Sequence, residues 1–244
     1  MASTIAASGS CIQVRSADGV AEILLDRPHV HNAMNRAMVD ELAAACAALD
    51  QDNAIRVILV SGNGKSFCSG IDVKEALPQG LAELYLSGVG DREAIYRVRK
   101  PVIAAVSGAA FGAGLELALA CDIIVCDATA RFGAPEVSRG SMPGAGGTQR
   151  LARLVGRMRA TELCLTGRVV LAEEAVQLGL AIGAEPGLNA HDTAARMAMQ
   201  IAKAKPHIAV LIKQSCRMHD EVALPAGLSF ERLANSASRA ADGI

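Results

Sequence analysis

The sequence predicts an α/β fold in which a largely parallel sheet is covered by helices and followed by a mainly helical C-terminal third. Three observations carry this prediction. Short β-branched runs at residues 20–26, 56–61, 102–107 and 123–126 are bounded by turn residues. Helically spaced or glycine-rich segments separate them, and strands alternating with helices pair in parallel because each crossover returns the chain over the sheet. After Ala134 the apolar positions recur at helical spacing almost throughout.

The elements follow in order. VAEILLD (20–26) has the composition of a strand and stops at Arg27-Pro28, since proline has no N–H to give to a ladder. From Asn35, Met38, Leu42, Ala45, Cys46 and Leu49 share one face while Asp40, Glu41 and Asp50 lie elsewhere, which makes an amphipathic helix. RVILVS (56–61) is a second strand, turned by Gly62-Asn63-Gly64. Residues 81–100 are polar, helical in parts and stopped by Pro101, and are expected to be the variable or mobile region. VIAAVS (102–107), a short helix at 114–120 and a strand at 123–126 come next. Then follow a turn at Pro135, helices near 148–154, 157–165 and 172–178, and two more between His191 and Met218. The apolar stretch from Val102 is too broken by Gly108, Gly112, Gly114, Glu116 and Asp122 to be a membrane span. One α/β core over residues 1–190 with a helical region over 191–244 accounts for the chain.

Composition narrows the function. With Lys+Arg 24 against Asp+Glu 25 in 244 residues, the net charge of -1 offers neither the clustered cations that bind nucleic acid nor a charge that draws the chain to an anionic membrane. Aromatics at 2% argue against a site of stacked rings. The seven cysteines lack any C-x-x-C pair and are expected to be reduced and mostly buried. MASTIAASGS has neither a signal-peptide h-region nor an Arg-rich transit character, so a cytoplasmic protein is expected.

Several motifs fail on position. GNGKS (62–66) is no phosphate-binding loop, because the pattern needs glycine where Leu59 stands. No G-x-G-x-x-G or G-x-S-x-G occurs, and the five histidines lack metal-ligand spacing; His29 and His31 read as loop residues on the surface. Cys68 follows a strand and turn without an identifiable partner His, which favours a small core residue over a nucleophile. Two acids are left. Glu116 sits in the apolar run GLELALA behind a glycine cluster, and Glu136 follows Pro135 among Phe132, Gly133, Ala134 and Val137. They flank the strand at 123–126 as two semi-buried carboxyls. The pattern leaves a second reading open, with Glu136 favouring a helix N-terminus and Glu116 facing solvent or a subunit.

The segments DRPHVHNAM (26–34), GKSFCSGIDVKE (64–75), KPVIAAVSGAAFGAGLELALACDIIV (100–125), ARFGAPEVSRGSMPGAGGTQRLARLVG (130–156) and LTGRVVLAEEAVQLGL (165–180) resemble, in order and spacing over about residues 11–230, the enoyl-CoA hydratase/isomerase (crotonase) superfamily. The resemblance implies a ββα-spiral core, a helical C-terminal trimerisation region and assembly as a homotrimer or dimer of trimers. It implies an acyl-CoA substrate reacting through a thioester enolate, with coenzyme A as part of the substrate and neither a metal nor a separate cofactor. The backbone N–H groups of Ile71 and Ala113 match the family's oxyanion donors. Glu116 and Glu136 match its two catalytic acids, Glu116 acting on water and Glu136 at C2, with Gly144 N–H holding the water. Ser66, Phe67, Cys68 and Lys74 would lie near coenzyme A, Lys74 as a phosphate contact or simply as a solvated lysine.

A hydratase is the expected activity. The alternatives are a double-bond isomerase or other enolate chemistry using Glu136, and a non-catalytic acyl-CoA or protein-binding paralogue. Three departures stand out: Ala113 where the family often has glycine, Ala134 where many hydratases have glutamine, and an apparent omission of the usual last helix before Ile244.

Overall fold

A computed structural model describes residues 3–5, 11–76 and 93–241. Most of the expected variable segment at 81–100 therefore lies outside the described residues, as does the stretch from 77 that would wall an acyl pocket. Among the described residues the chain forms a seven-stranded and a four-stranded sheet. The larger runs in the order β1 (Ser3–Ile5), β2 (Ile12–Ala17), β3 (Val20–Leu25), β4 (Val57–Gly62), β6 (Val102–Val106), β8 (Ile123–Cys126), β11 (Ile182–Gly183). β1, β2 and β3 pair antiparallel, and from β3 to β11 every pair is parallel. The smaller sheet runs β10 (Val170–Leu171), β9 (Arg131–Gly133), β7 (Ala109–Phe111), β5 (Ser66–Cys68), parallel except at β10.

The predicted parallel, helix-covered sheet is thus present, with a second small sheet that sequence reading did not resolve. Strands of two or three residues are too short to display a period of two.

Period-two alternation decides the layers. In β4, Val57 and Leu59 face one side and Ile58 and Val60 the other, all but fully buried. The first side receives α8 (Ala190–Ile201), whose Ala190, Ala194 and Ala198, continued by Ala202, form an i, i+4 stripe. Small side chains let that helix sit close on the sheet. The other side receives α1 (Arg36–Gln51) through Met38, Leu42, Cys46 and Leu49, four of the apolar positions read from the sequence, joined by Val39, while Ala45 is only partly buried. Asn35 caps α1, its side chain accepting from the Met38 N–H at 2.9 Å.

The remaining helices are α2 (Val73–Ala76), α3 (Ala94–Arg97), α4 (Ala113–Ala120), α5 (Gly147–Val155), α6 (Arg157–Thr166), α7 (Ala172–Gln177), α9 (Pro206–Glu221) and α10 (Leu224–Ala241), with 3-10 turns at Pro28–Val30 and Pro135–Arg139. Beyond the two C-terminal helices read from the sequence, α10 has 18 residues and packs against α9. The suspected membrane stretch resolves into β6, β7, α4 and β8, and no helix among the described residues is long and apolar enough to cross a membrane. All seven cysteines are free thiols; Cys11, Cys46, Cys68 and Cys126 are buried, Cys121 and Cys164 partly so, and Cys216 is exposed.

Candidate active site

The chain crosses from the large sheet to the small one between β6 and β7, then enters α4 through Gly112, where φ is +52° and only glycine is at ease. Ala113 opens α4, so its N–H has no acceptor within the helix. Ile71 forms a parallel bridge with Met34, built from Met34 N–H to Gly70 C=O at 2.7 Å and Asp72 N–H to Met34 C=O at 2.8 Å. In such a bridge the N–H of Ile71 points away from Met34. The two segments touch through Gly70: a methyl group there would stand 3.1 Å from the Phe111 carbonyl oxygen and 3.9 Å from the Ala113 nitrogen. The two predicted oxyanion donors are therefore close neighbours on converging backbone.

Buried polar side chains fix that arrangement. Asn32, fully buried, donates to the carbonyls of Asn63 at 2.9 Å and Ser66 at 2.8 Å and accepts from Arg27 N–H at 2.8 Å. Arg27 in turn donates to the Ala33 carbonyl at 2.6 Å and pairs with Asp72 at 3.0 Å, next to Ile71. Arg27, Asn32 and Asp72 all lie in segments that carry the resemblance, yet only their contacts reveal the task.

Glu116 is buried, and the alternative that it faces solvent falls. Its Oε1 accepts from the backbone N–H groups of Ala145 at 2.6 Å and Gly147 at 3.0 Å. Gly147 is the first residue of α5, so one of these donors is an orphan N–H of a helix start, the natural partner of a carboxylate. Gly144, expected to hold the water through its N–H, is exposed and immediately precedes Ala145. Backbone donors have no side-chain signature, and their role was invisible in the sequence.

Glu136 lies in the 3-10 turn after β9, half-buried, so two strands rather than one separate the acids along the chain. Its carboxylate lies against Gly112, where an added methyl group would meet Oε1 at 3.2 Å. Its Oε2 is buried and has no hydrogen-bond partner among the described residues. Burial, opposed in part by a backbone hydrogen bond and reinforced by the charge of Glu116, pushes the Glu136 carboxyl above its ordinary range. Both acids also raise the Cys164 thiol, after burial, so each lies within electrostatic reach of that half-buried side chain.

A cavity of about 20 Å³ adjoins Glu116 and Ala113 and is otherwise lined by apolar side chains, among them Met34, Val39 and Leu42 of the α1 region and Ala94 and Ile95 of α3. A larger groove of about 770 Å³, lined by Tyr96, Arg150, Lys213 and Arg217, contains neither acid. The small cavity brings Glu116 beside Ala113 and Ala145, while Glu136 and Ile71 are not among its lining residues.

The remaining predicted residues fare differently. Lys74 is exposed on α2 and available to a solvent-side ligand. Ser66, Phe67 and Cys68 are buried, Phe67 and Cys68 almost completely, so this strand presents almost no surface to a ligand. Desolvation pushes the Cys68 thiol up to about 12, which suits an inert core residue. His29 and His31 are exposed, as expected of loop residues. Ala134 is buried and offers no side-chain hydrogen bond to either acid.

Comparison with known proteins gives a consistent result. The profile of the enoyl-CoA hydratase/isomerase family matches residues 15–242. The chain is 41% identical over 214 residues to a probable enoyl-CoA hydratase of Rhizobium meliloti (strain 1021), covering 87% of this chain and 83% of that one. It is 40% identical over 211 residues to a 2,3-dehydroadipyl-CoA hydratase of Escherichia coli (strain K12), covering 86% and 83%. The crystal structure of an enoyl-CoA hydratase from Mycobacterium tuberculosis H37Rv superposes with a TM-score of 0.82 at 36% identity, over 92% of this chain and 88% of that one.

Proposed function

The chain belongs to the enoyl-CoA hydratase/isomerase family, and from that premise we propose that it is an enoyl-CoA hydratase, adding water to a trans-2-enoyl-CoA to give a 3-hydroxyacyl-CoA. One observation carries the reading. A buried carboxylate gripped by two N–H donors shares a cavity with Ala113, and a second carboxyl with an orphaned oxygen lies against Gly112, the residue before Ala113. An isomerase needs one acid to move a proton; two acids with different environments suit an addition that takes a proton at one atom and delivers one at another.

The steps follow from the geometry. The Ile71 and Ala113 N–H groups receive the thioester oxygen and stabilise the charge that develops on it. The Glu116 carboxylate, oriented by Ala145 and Gly147, accepts a proton from water as the water oxygen bonds to C3. The C2=C3 electron pair moves toward the thioester, forming the enolate. Glu136, whose raised pKa favours the carboxylic acid, protonates C2, and the thioester carbonyl reforms. Glu116 ends with one proton more and Glu136 with one fewer, and exchange with water resets the pair.

Coenzyme A enters as part of the substrate, and the scheme uses no metal or resident cofactor. In this reading Lys74, exposed on α2, meets a phosphate of the nucleotide, and Ser66, Phe67 and Cys68 lie near coenzyme A as the family resemblance implies. A homotrimer or dimer of trimers is part of the proposal, supported by Ile212, Leu224 and Leu233, apolar side chains that α9 and α10 leave largely exposed. So is a cytoplasmic role in fatty-acid β-oxidation, to which seven free thiols are suited. Nucleic acid and membrane are not partners in this reading. Incubation with crotonyl-CoA, following loss of the conjugated-thioester absorbance, tests it. Turnover that is lost in both Glu116→Gln and Glu136→Gln supports hydration by two acids, and absence of turnover on short, medium and branched enoyl-CoAs overturns it.

A further inference from the structure

We propose that Arg150 is a positioning residue for the hydration step, holding the loop that grips Glu116 and tying it to the wall of the acyl cavity. The inference rests on the hydratase reading and deepens it. Arg150 Nη1 donates to the Ala145 carbonyl at 2.9 Å, while the Ala145 N–H donates to Glu116 Oε1 at 2.6 Å. A single residue, Ala145, therefore joins the guanidinium to the N–H that orients the catalytic carboxylate. The guanidinium crosses directly over Gly146, where a methyl group would fall 2.1 Å from Nη1, and φ of +89° shows the loop curled beneath it. A residue with a side chain at 146 cannot coexist with this placement.

The other side of the fork faces Glu93. Arg150 pairs with the Glu93 carboxylate through both Nη atoms and stacks 4.4 Å from the Tyr96 ring centroid. Its side chain is only 19% exposed, so the cation is held rather than waving in solvent. Glu93 and Tyr96 bracket Ala94 and Ile95, which line the cavity beside Glu116. A planar fork with several fixed donors can satisfy a carboxylate, a carbonyl and a ring face together; an ammonium cannot. Arg150 thus makes the orientation of Glu116 depend on the α3 segment, so that the acyl-facing wall and the water-activating acid keep one relative position.

The test separates positioning from general structure. Arg150→Gln and Arg150→Lys are compared with wild type for hydration of crotonyl-CoA and for exchange of the C2 proton of butyryl-CoA in D2O. Exchange needs Glu136 and the oxyanion donors but no attacking water. Arg150→Gln is expected to lower kcat for hydration about 10²-fold, the cost of misplacing a reacting group by about 1 Å. KM stays within about threefold and exchange is largely retained, because contacts to the substrate itself are unchanged. Arg150→Lys, which keeps the charge beside Glu93, is expected to recover part of kcat and serves as the folded variant should glutamine unfold the loop. Unchanged hydration, or hydration and exchange falling together in the folded variants, overturns the proposal. A wild-type protein that exchanges the C2 proton but does not hydrate overturns the hydratase reading beneath it instead.

Discussion

Glu136 stands against Gly112, with its Oε1 placed where a side chain on that glycine would need to be. The same glycine, at φ +52°, turns the chain so that Ala113 can present its N–H. Gly112→Ala therefore strikes both halves of the site. The strained φ costs about 1–3 kcal/mol, and the added methyl group displaces the carboxyl that serves C2. The expected result is a lower melting temperature and a kcat reduced about 10²-fold, read by thermal denaturation and steady-state kinetics on crotonyl-CoA.

The N–H groups of Ala145 and Gly147 both donate to Glu116 Oε1, and an amide oxygen accepts as a carboxylate oxygen does. Glu116→Gln is predicted to keep the fold and lose hydration by about 10²–10⁴-fold. Glu116→Ala leaves two buried N–H groups unpaired, at about 1–3 kcal/mol each. Thermal melts of the two variants should therefore differ clearly while both are inactive, and equal melting temperatures would remove the structural part of this account.

Burial raises the Glu136 carboxyl above its ordinary range, and the sign of the stability effect follows. A folded-state pKa above the unfolded one means the folded protein prefers the proton. The contribution is fully present below the ordinary value of 4.5 and is lost as pH rises through the folded value. Glu136→Gln carries no such charge. Its stability relative to wild type should increase as pH rises through that range, measured by urea melts at a series of pH values, although its turnover is lost.

What the sequence revealed depended on how far each signal reached along the chain. α1 was legible because its apolar positions recur at helical spacing from Met38 to Leu49, and β4 and α4 because each is an apolar run bounded by turn residues. The two acids stood out because carboxylates are costly in apolar surroundings, which a local reading detects. The donors Ile71 and Ala113 came only through family resemblance, because a backbone N–H leaves no mark on residue choice. Ala145 and Gly147 went unread for the same reason. The small sheet was missed because its strands are too short to show alternation, and α10 because its proline, glycine and serines dilute the helical signal while Leu224, Leu228 and Leu233 remain exposed.

A last prediction concerns the contact that fastens α8 to the large sheet. His191, at the start of α8, lies 3.0 Å through Nε2 from Glu22 on β3, whose carboxylate also accepts from Ser61 at 2.6 Å. The hydrogen bond to Glu22 raises the His191 pKa above its ordinary value against the effect of burial, and the same bond lowers Glu22. The histidine contribution is fully present below its unfolded value of 6.5 and fades as pH rises through the folded one. The glutamate contribution is present above the ordinary carboxylate value and fades as pH falls through its lowered one. The latch is therefore strongest between the two, in mildly acidic solution. Because the imidazole is 45% exposed, solvent screening limits it to about 0.5–1 kcal/mol. His191→Ala should lower stability by that amount near pH 6 and by clearly less near pH 9, measured by denaturant melts; a difference independent of pH would show that α8 is held to the sheet by its alanine stripe alone.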